Sequence, residues 1–307
     1  MQNKLLVILG PTASGKTELS IKLALRLRSG QAKKFGIHGA EIISADSRQV
    51  YRGMDIGSGK ITKKEMQGIP HYLLDVANPK TRFSVVQYQK LALKAIKEIQ
   101  KRGKLPILVG GTGFYIQSIV DGIVIPEVKP DWALRAKLEK IALPELVERL
   151  AKLDPVRAGN IDQNNPRRVL RALEIAMKLK GPVPTTSRNI PTFNTLQIGT
   201  LKTPEELKKN ISKRLKKRLA KNTMIAEVKK LRKTLSWKRL EEFGLEYKFV
   251  AQYLQDKITW QEMTDNIQME SWHYAKRQMT WFKRDKKIIW IKKYSQANKA
   301  VSKFLSK

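Results

Sequence analysis

The sequence contains no cysteine and only three histidines, His38, His71 and His273, which lie far apart. Without cysteine the chain can form neither a disulfide scaffold nor a Cys-ligated zinc site, an iron–sulfur cluster or a thiol nucleophile. The spacing of the histidines also argues against a zinc site built from them. Acidic residues are scarce, since 27 Asp and Glu stand against 61 Lys and Arg, which gives a net charge of +34. Such a surplus indicates a polyanionic partner more than it indicates a general aid to solubility.

Long apolar runs are absent too. No stretch reaches the roughly 18 residues that a membrane-spanning helix needs, so we expect no membrane association. The run Leu5–Leu9 is too short for the apolar region of a signal peptide, and no small-residue cleavage site follows it. We therefore expect a cytoplasmic protein. We also expect it to act as a monomer.

Apolar strands alternate with amphipathic helices in the first third of the chain. The pattern predicts strands at 4–9, 41–44, 71–76 and 105–109, and helices at 16–28 and 85–102. This alternation is typical of a parallel α/β sheet. From about 130 to 180 the periodicity predicts helices only, at 131–142, 144–152 and 166–180. A strand returns at 197–201, a capping box at Thr203 begins a further helix, and the last elements are predicted at 223–235, 246–255, 260–284 and 288–291.

A phosphate-binding motif occupies the first strand-to-helix turn. Gly10–Thr17 matches G-x-x-x-x-G-K-[ST] without a mismatch. In this motif glycines let backbone N–H groups surround a diphosphate, Lys16 neutralises its oxygens, and Thr17 offers a hydroxyl to Mg²⁺. The predicted phosphate-binding residues are Gly10, Pro11, Thr12, Ala13, Ser14, Gly15, Lys16 and Thr17. The motif does not say whether the diphosphate belongs to a nucleotide or to another substrate.

The motif and the strand pattern together predict the fold class. We expect an α/β, P-loop NTPase-like parallel sheet flanked by helices, formed by residues 1–122 and 195–307. Residues 123–194 form an all-helical insertion domain in this prediction. Ligands of such sheets bind beyond the carboxyl ends of the strands. Asp46 and Thr112 follow two of these strands and are candidate site residues, and Asp75 is a weaker candidate for a Mg²⁺-binding carboxylate.

The positive charge is concentrated in two stretches. Residues 202–239 contain 15 Lys and Arg and three acids, and residues 273–307 contain 11 and one. Aromatic residues such as Trp272 and Trp281 are interleaved with cations at 271–284, as in proteins that bind unstacked bases. The alternative is that Trp281 and Phe282 belong to the core and the cations are merely solvated. The cluster Arg167–Arg171 opens a helix of the insertion and is a further candidate for phosphate contact.

Five motifs, in order along the chain, resemble the tRNA dimethylallyltransferases, also called tRNA isopentenyltransferases. The matching segments are Gly10–Thr17, Asp46–Gly57, Gly110–Tyr115, Asn165–Glu174 and Ala275–Phe282. The resemblance spans nearly the whole chain, and the second and third segments are more specific than the P-loop alone. The chain lacks the C-terminal Cys/His finger of eukaryotic members, which favours the bacterial type.

The resemblance implies a reaction on RNA. A dimethylallyl group would pass from dimethylallyl diphosphate to N6 of the adenine next to the anticodon on its 3′ side, with release of pyrophosphate and with Mg²⁺ as cofactor. Asp46 would be the general base, and Thr112 and Arg214 would contact the pyrophosphate. The implied tRNA-binding residues, which contact an anticodon stem-loop, are Asp46, Ser47, Arg48, Gln49, Arg167, Arg168, Arg171, Lys276 and Arg277.

The chain departs from the family pattern at several positions. Trp272 stands where Arg is usual, and the segments 29–40, 222–224 and 243–248 also differ. These departures concern RNA contact and leave the predicted pyrophosphate site intact.

Three alternatives to this reading remain. A P-loop kinase of a small metabolite would explain the phosphate motif but not the charge. A prenyltransferase of free AMP or ADP would need no basic surface. A nonenzymatic RNA-binding protein would not need an intact Lys16, Thr17 and Asp46.

Overall fold

The computed structural model describes residues 3–31, 36–123, 126, 128–183 and 193–306. Its contacts divide the chain into a larger unit, residues 1–120 and 191–307, and a smaller unit, residues 121–190. The predicted boundaries lay at 122/123 and 194/195. Among the described residues no helix is both long and apolar enough to cross a membrane.

A six-stranded, entirely parallel sheet forms the centre of the larger unit. Its strand order is β3-β2-β4-β1-β5-β6. The strands are β1 (Lys4–Leu9), β2 (Ala40–Ala45), β3 (His71–Tyr72), β4 (Leu105–Gly110), β5 (Asn194–Thr200) and β6 (Ile289–Ile291). The predicted parallel α/β fold is therefore confirmed.

The helices of the described chain follow the order that the sequence pattern predicts, with additions. Those of the larger unit are α1 (Lys16–Arg26), α2 (Lys63–Met66), α3 (Val85–Lys101), α4 (Gly113–Val120), α9 (Pro204–Leu219), α10 (Thr223–Arg232), α11 (Trp237–Glu242), α12 (Leu245–Tyr253), α13 (Trp260–Phe282) and α14 (Tyr294–Leu305). The smaller unit contains α5 (Trp132–Leu138), α6 (Leu143–Leu153), α7 (Pro155–Asn160) and α8 (Pro166–Leu179). The segment 29–40, predicted as a loop, begins with a π-helical turn at Leu27–Gln31, and residues 32–35 lie outside the described residues.

Both faces of the sheet are covered, because alternate residues of the central strand β1 enter two different cores. Leu6 and Ile8 pack on one face, where α1 and α14 contribute Leu23 and Val301. Leu5, Val7 and Leu9 pack on the other face with residues of α3 and α4. Burial on both faces is why these strands read as continuous apolar runs rather than as alternating ones. Phe282 is 3% exposed and belongs to the second core, so the core interpretation holds for it.

A third core joins α10 to α13 with the segment that follows β2. The Glu227 carboxylate of α10 accepts the backbone N–H groups of Asp55, Ile56 and Gly57 at 2.9, 2.7 and 3.0 Å. The Tyr247 hydroxyl donates to the same carboxylate at 2.8 Å. Three amides on one carboxylate fix this turn firmly, since charge-assisted hydrogen bonds are about twice as strong as neutral ones. The turn is held next to the cavities described below.

The smaller unit has a core of its own, formed by α5, α6, α7 and α8. Its most buried ionic group is Glu174, which is 0% exposed and accepts hydrogen bonds from Arg135, Arg171 and the Asp131 amide. Burial works to raise the pKa of Glu174, but these donors hold the pKa below its usual value. The ion cluster thus ties α5 to α8.

The third strand is shorter than predicted. It was expected at 71–76, but it ends at Tyr72 because Leu73 and Asp75 adopt left-handed backbone angles, with φ of 63° and 58°. Asp75 pairs with Lys60 at 2.6 Å and lines none of the cavities described here, so the structure gives no support to it as a Mg²⁺-binding carboxylate.

Candidate active site

The P-loop, residues Gly10–Thr17, connects β1 to α1 with a backbone that glycine makes possible. Gly10 and Gly15 have φ of 142° and 91°, values that residues with a side chain rarely adopt. Gly10 also has no room for a side chain, because a Cβ there would lie 2.5 Å from the Thr200 hydroxyl. The loop therefore keeps its curvature only with glycine at these positions.

Three other elements hold the P-loop in place. Gln278 of α13 accepts the Thr12 N–H at 2.7 Å, and Asn210 of α9 donates to the Ala13 carbonyl at 3.0 Å. Ser14 shares a 2.6 Å hydrogen bond with Thr200 at the end of β5. The loop is thus preorganised by contacts within the chain itself.

The two cations of the site, Lys16 and Arg214, lie close together and are only partly exposed. Lys16 Nζ donates to the Pro11 carbonyl at 2.6 Å, and Arg214 donates to the Thr12 hydroxyl at 3.2 Å. Burial and the nearby Arg214 guanidinium lower the pKa of Lys16 to about 7, although Asp46 opposes the shift. Burial and Arg218 likewise lower the pKa of Arg214 to about 10. Cations disfavoured in this way are stabilised by a bound anion.

Arg214 and Arg218 converge on Gly59. A Cβ at Gly59 would lie 2.1 Å from one guanidinium nitrogen of Arg218 and 2.6 Å from one of Arg214. Arg218 is neutralised by Glu246 of α12, whereas Arg214 has no ion-pair partner among the described residues. Arg214 is therefore the guanidinium left to meet an anionic ligand.

Asp46 and Thr112 meet as predicted, because β2 and β4 are neighbours and end in register at Ala45 and Gly110. Thr112 accepts the Ser47 N–H at 3.0 Å. Asp46 Oδ1 accepts the N–H groups of Arg48 and Gln49 at 2.8 and 3.2 Å. Within the described part of the chain, Oδ2 of Asp46 makes no hydrogen bond. One carboxylate oxygen is thus fixed and the other is free to accept a proton.

Two cavities meet at these residues. The inner cavity is lined by Lys16 and Thr17 and by the apolar side chains of Ile42, Ile61, Leu74 and Val109. The outer cavity is lined by residues of α12 and α13, among them Lys248 and Arg277. Both cavities share Thr12, Asp46, Ser58, Arg214 and Tyr274. The phosphate-binding loop and the carboxylate therefore stand at the common boundary of two spaces.

Tyr274 is the aromatic residue at that boundary. Burial and the Asp46 carboxylate raise the pKa of the Tyr274 hydroxyl to about 12, so the hydroxyl stays protonated. Sequence reasoning did not assign Tyr274, Arg218 or Gln278 to the site. The available signal was the spacing of Ser271, Tyr274 and Gln278, which places polar side chains on one face of α13, two of them buried.

The remaining predicted residues of the larger unit do not all lie at the same cavity. Ser47 and Arg48 line it, and Arg48 donates through Nε to the Phe243 carbonyl at 2.7 Å. Gln49 lines the inner cavity instead and donates to the Gly59 carbonyl at 3.3 Å. Lys276 and Arg277 are exposed on α13. A contact of these residues with tRNA stays a prediction.

The basic face of α9 is exposed. Its exposed lysines are Lys208, Lys209, Lys213, Lys216 and Lys217. Lys208 Nζ and Lys276 Nζ lie 5.2 and 5.7 Å from the centre of the Trp272 ring, so the departure from the family pattern at Trp272 places an aromatic ring close to two cations.

Three arginines of the smaller unit were predicted to contact tRNA. Arg167 and Arg168 are exposed at the start of α8, where Asn165 caps the helix by accepting the Arg168 N–H at 3.3 Å. Arg171 is engaged differently, since it donates to the buried Glu174 and to the Val128 carbonyl. Arg171 therefore has a structural contact whether or not it also meets RNA.

Comparisons with known proteins agree with the resemblance. The family model described as IPP transferase matches residues 49–285. A protein named tRNA dimethylallyltransferase from Carboxydothermus hydrogenoformans is 39% identical, over 95% of this chain and 92% of its own. A protein of the same name from Acetivibrio thermocellus is also 39% identical, with the same coverage of both chains.

Solved structures are similar over almost the whole chain. The tRNA isopentenylpyrophosphate transferase of Bacillus halodurans has a TM-score of 0.73 and 36% identity, over 99% of this chain and 97% of its own. A eukaryotic dimethylallyltransferase acting on tRNA has a TM-score of 0.76 and 25% identity, over 98% of this chain and 77% of its own.

Proposed function

The chain belongs to the IPP transferase family, and from this premise we propose that it transfers a dimethylallyl group from dimethylallyl diphosphate to tRNA. The acceptor is N6 of the adenine next to the anticodon on its 3′ side, and pyrophosphate is released. One observation carries the proposal. The phosphate-binding loop and the free Asp46 oxygen stand where two cavities meet, so a diphosphate donor and an extruded base can approach the same point from different sides.

The inner cavity suits an allylic diphosphate. Its cationic lining, Lys16 and Arg214, matches a diphosphate, and its apolar lining of Ile42, Ile61, Leu74 and Val109 matches a short hydrocarbon tail. The apolar residues beside the phosphate-binding loop favour an allylic diphosphate over the polar substrate of a small-metabolite kinase. A free-nucleotide prenyltransferase would have no use for the exposed cations of α9 and α13.

The reaction needs a stabilised leaving group and a base. The N6 amine attacks the allylic carbon, the carbon–oxygen bond to the diphosphate breaks, and the electron pair leaves with pyrophosphate. Lys16, Arg214 and the Thr112 hydroxyl stabilise the charge on the departing oxygens. The N6 proton passes to Oδ2 of Asp46, whose other oxygen is held by the Arg48 and Gln49 amides.

Mg²⁺ fits the donor set of this site. Thr17 is exposed in the first turn of α1 and lines the inner cavity. No group of three or more His, Cys, Asp or Glu that could hold a metal occurs among the described residues. Mg²⁺ commonly takes few protein ligands and binds largely through phosphate and water oxygens, so Thr17 and the diphosphate would hold it. Bound there, it would neutralise charge on the leaving pyrophosphate.

The partner is the anticodon stem-loop of a tRNA. Exposed Lys and Arg on α9 and α13 suit its phosphates, and the outer cavity suits one unstacked base. We further propose that the protein acts as a monomer and that the reaction takes place in the cytoplasm.

The test is a transfer assay with labelled dimethylallyl diphosphate and Mg²⁺, run in parallel on unmodified tRNA and on AMP. We expect label in tRNA and none in AMP. Asp46→Asn should abolish transfer while tRNA binding stays within about threefold, because the amide keeps the shape but accepts no proton. The matched control is Asp75→Asn, which removes a carboxylate outside both cavities and should remain active.

Label in AMP alone would contradict the proposal in favour of a free-nucleotide enzyme. Label in neither acceptor would contradict it as well and would leave a kinase as the next candidate. An active Asp46→Asn variant would remove Asp46 from the role of base without touching the reaction class.

A further inference from the structure

Gln278 joins the two loops that form the site. Its side-chain oxygen accepts the Thr12 N–H at 2.7 Å, and its side-chain nitrogen donates to the Gly111 carbonyl at 2.8 Å. The residue is 6% exposed. Thr12 lies in the loop after β1 and Gly111 in the loop after β4, and these strands are neighbours. One amide therefore bridges the carboxyl ends of two adjacent strands.

Each side of this bridge leads to residues of the proposed reaction. On one side the Thr12 hydroxyl accepts a hydrogen bond from Arg214 at 3.2 Å. On the other side Gly111 precedes Thr112, which accepts the Ser47 N–H at 3.0 Å next to Asp46. Gln278 thus links the P-loop, which would bind the pyrophosphate, to the segment of Thr112 and Asp46, which would bind the acceptor amine.

The bridge needs an amide of this length. A glutamate has no N–H for the Gly111 carbonyl, and an apolar side chain leaves both backbone groups without a partner. The space on the Gly111 side is closed too, since a Cβ at Gly111 would lie 2.2 Å from the Gln278 nitrogen. The next nearest atoms lie 3.4 and 3.5 Å away, which is ordinary contact, so the Gln278 side chain is the obstacle at that position.

We propose that Gln278 is a positioning residue, which sets the distance between the P-loop and the Asp46–Thr112 pair and thereby the rate of prenyl transfer. The inference rests on the proposed function. Gln278 lines the inner cavity, but its side-chain oxygen and nitrogen are bonded to Thr12 and Gly111. It acts through Thr12 and Gly111, and its loss should reduce the chemical step more than it reduces binding of either substrate.

The experiment compares Gln278→Met with Gln197→Met. Gln197 is also a buried glutamine of the larger unit, 4% exposed, and it donates to Asp285 at 2.7 Å away from both cavities. Single-turnover rates are measured at saturating tRNA and dimethylallyl diphosphate. Dissociation constants for dimethylallyl diphosphate are measured without RNA and those for tRNA without donor, together with the melting temperature.

For Gln278→Met we expect a rate loss of about 100-fold, as for a displacement of about 1 Å between reacting groups. Both dissociation constants should stay within about threefold, since the cations and the RNA-facing surface are unchanged. Gln197→Met should show a similar change in melting temperature and a rate close to that of the unaltered protein. Equal rates in the two variants would overturn the inference.

A second test works even if Gln278→Met folds poorly. Gly111→Ala alone should slow transfer, because the new methyl group displaces the Gln278 amide. Added to Gln278→Ala, the same change should have no further effect, because its obstacle is gone. Two independent, multiplying rate losses would contradict the bridge. If the unaltered protein transfers no prenyl group to tRNA, the proposed function fails instead, and the two failures are distinguishable.

Discussion

The lowered pKa of Lys16 predicts an unusual pH dependence of ligand binding. With a pKa of about 7, Lys16 is half protonated at pH 7 and only about 1% protonated at pH 9. A bound diphosphate restores the proton, since an anion in contact raises the pKa of a lysine. Binding therefore takes up about half a proton at pH 7, and the uptake approaches one proton as the pH rises toward 9.

The magnitude follows from this linkage. The dissociation constant for dimethylallyl diphosphate, measured without RNA so that no turnover occurs, should rise about fivefold from pH 7 to pH 8 and about ninefold from pH 8 to pH 9, or about 50-fold in all. Below pH 7 the constant should level off as far as Lys16 is concerned, because the side chain is then already charged in the free protein.

Isothermal titration calorimetry in two buffers of different ionisation enthalpy measures both the constant and the proton uptake. Lys16→Arg is the control, since its guanidinium remains charged across this range. The titration of the ligand itself is common to both proteins and cancels in their ratio. A ratio that stays flat from pH 7 to pH 9, with no proton taken up, would refute the reasoning about Lys16.

Three further predictions concern other parts of the molecule. Replacing Lys213, Lys216 and Lys217 by Glu should weaken tRNA binding and flatten its dependence on salt in a filter-binding assay, and an unchanged slope would show that α9 does not meet RNA. Glu174→Leu removes the acceptor shared by Arg135, Arg171 and the Asp131 amide and should destabilise the smaller unit by about 1–3 kcal/mol, as measured by denaturant unfolding; unchanged stability would contradict this account. Chelation of Mg²⁺ should stop prenyl transfer but leave tRNA binding intact, and full transfer in excess EDTA would exclude the metal.

Local sequence signals predicted most of the fold, because both sheet faces are buried and the strands read as apolar runs. Five helices of the described chain were not predicted, namely Lys63–Met66, Gly113–Val120, Pro155–Asn160, Trp237–Glu242 and Tyr294–Leu305. Two of them show why. Gly113–Val120 begins in a Gly-Gly-Thr-Gly segment that reads as a turn, and Trp237–Glu242 is too short for its periodicity to stand out. The third strand was overestimated because positive φ angles at Leu73 and Asp75 leave no signature in non-glycine residues.

Site residues that follow the ends of strands could be predicted from the sequence. Site residues that lie on helices could not. Asp46 and Thr112 follow adjacent strands, so the rule for parallel sheets locates them. Gln278 and Tyr274 come from a helix more than 150 residues further along, and no local pattern tells which of its turns lies over the P-loop. Their partners are set by tertiary packing.

The P-loop is synthesised well before the side chains that support it, because those supports lie in β5, α9 and α13. Thr200, Asn210 and Gln278 fix its backbone, and Lys4 of β1 donates to the carbonyls of Phe304 and Leu305 at the end of α14. During synthesis one edge of β1 can pair only after β4 has been made, and the other edge can pair only after β5 has been made. Folding of the larger unit is therefore dominated by contacts of long sequence separation, which are slow to form. A nascent or truncated chain that stops short of α13 carries the complete phosphate motif without the bond that holds Thr12, and it acquires a finished anion site only after α13 has been made.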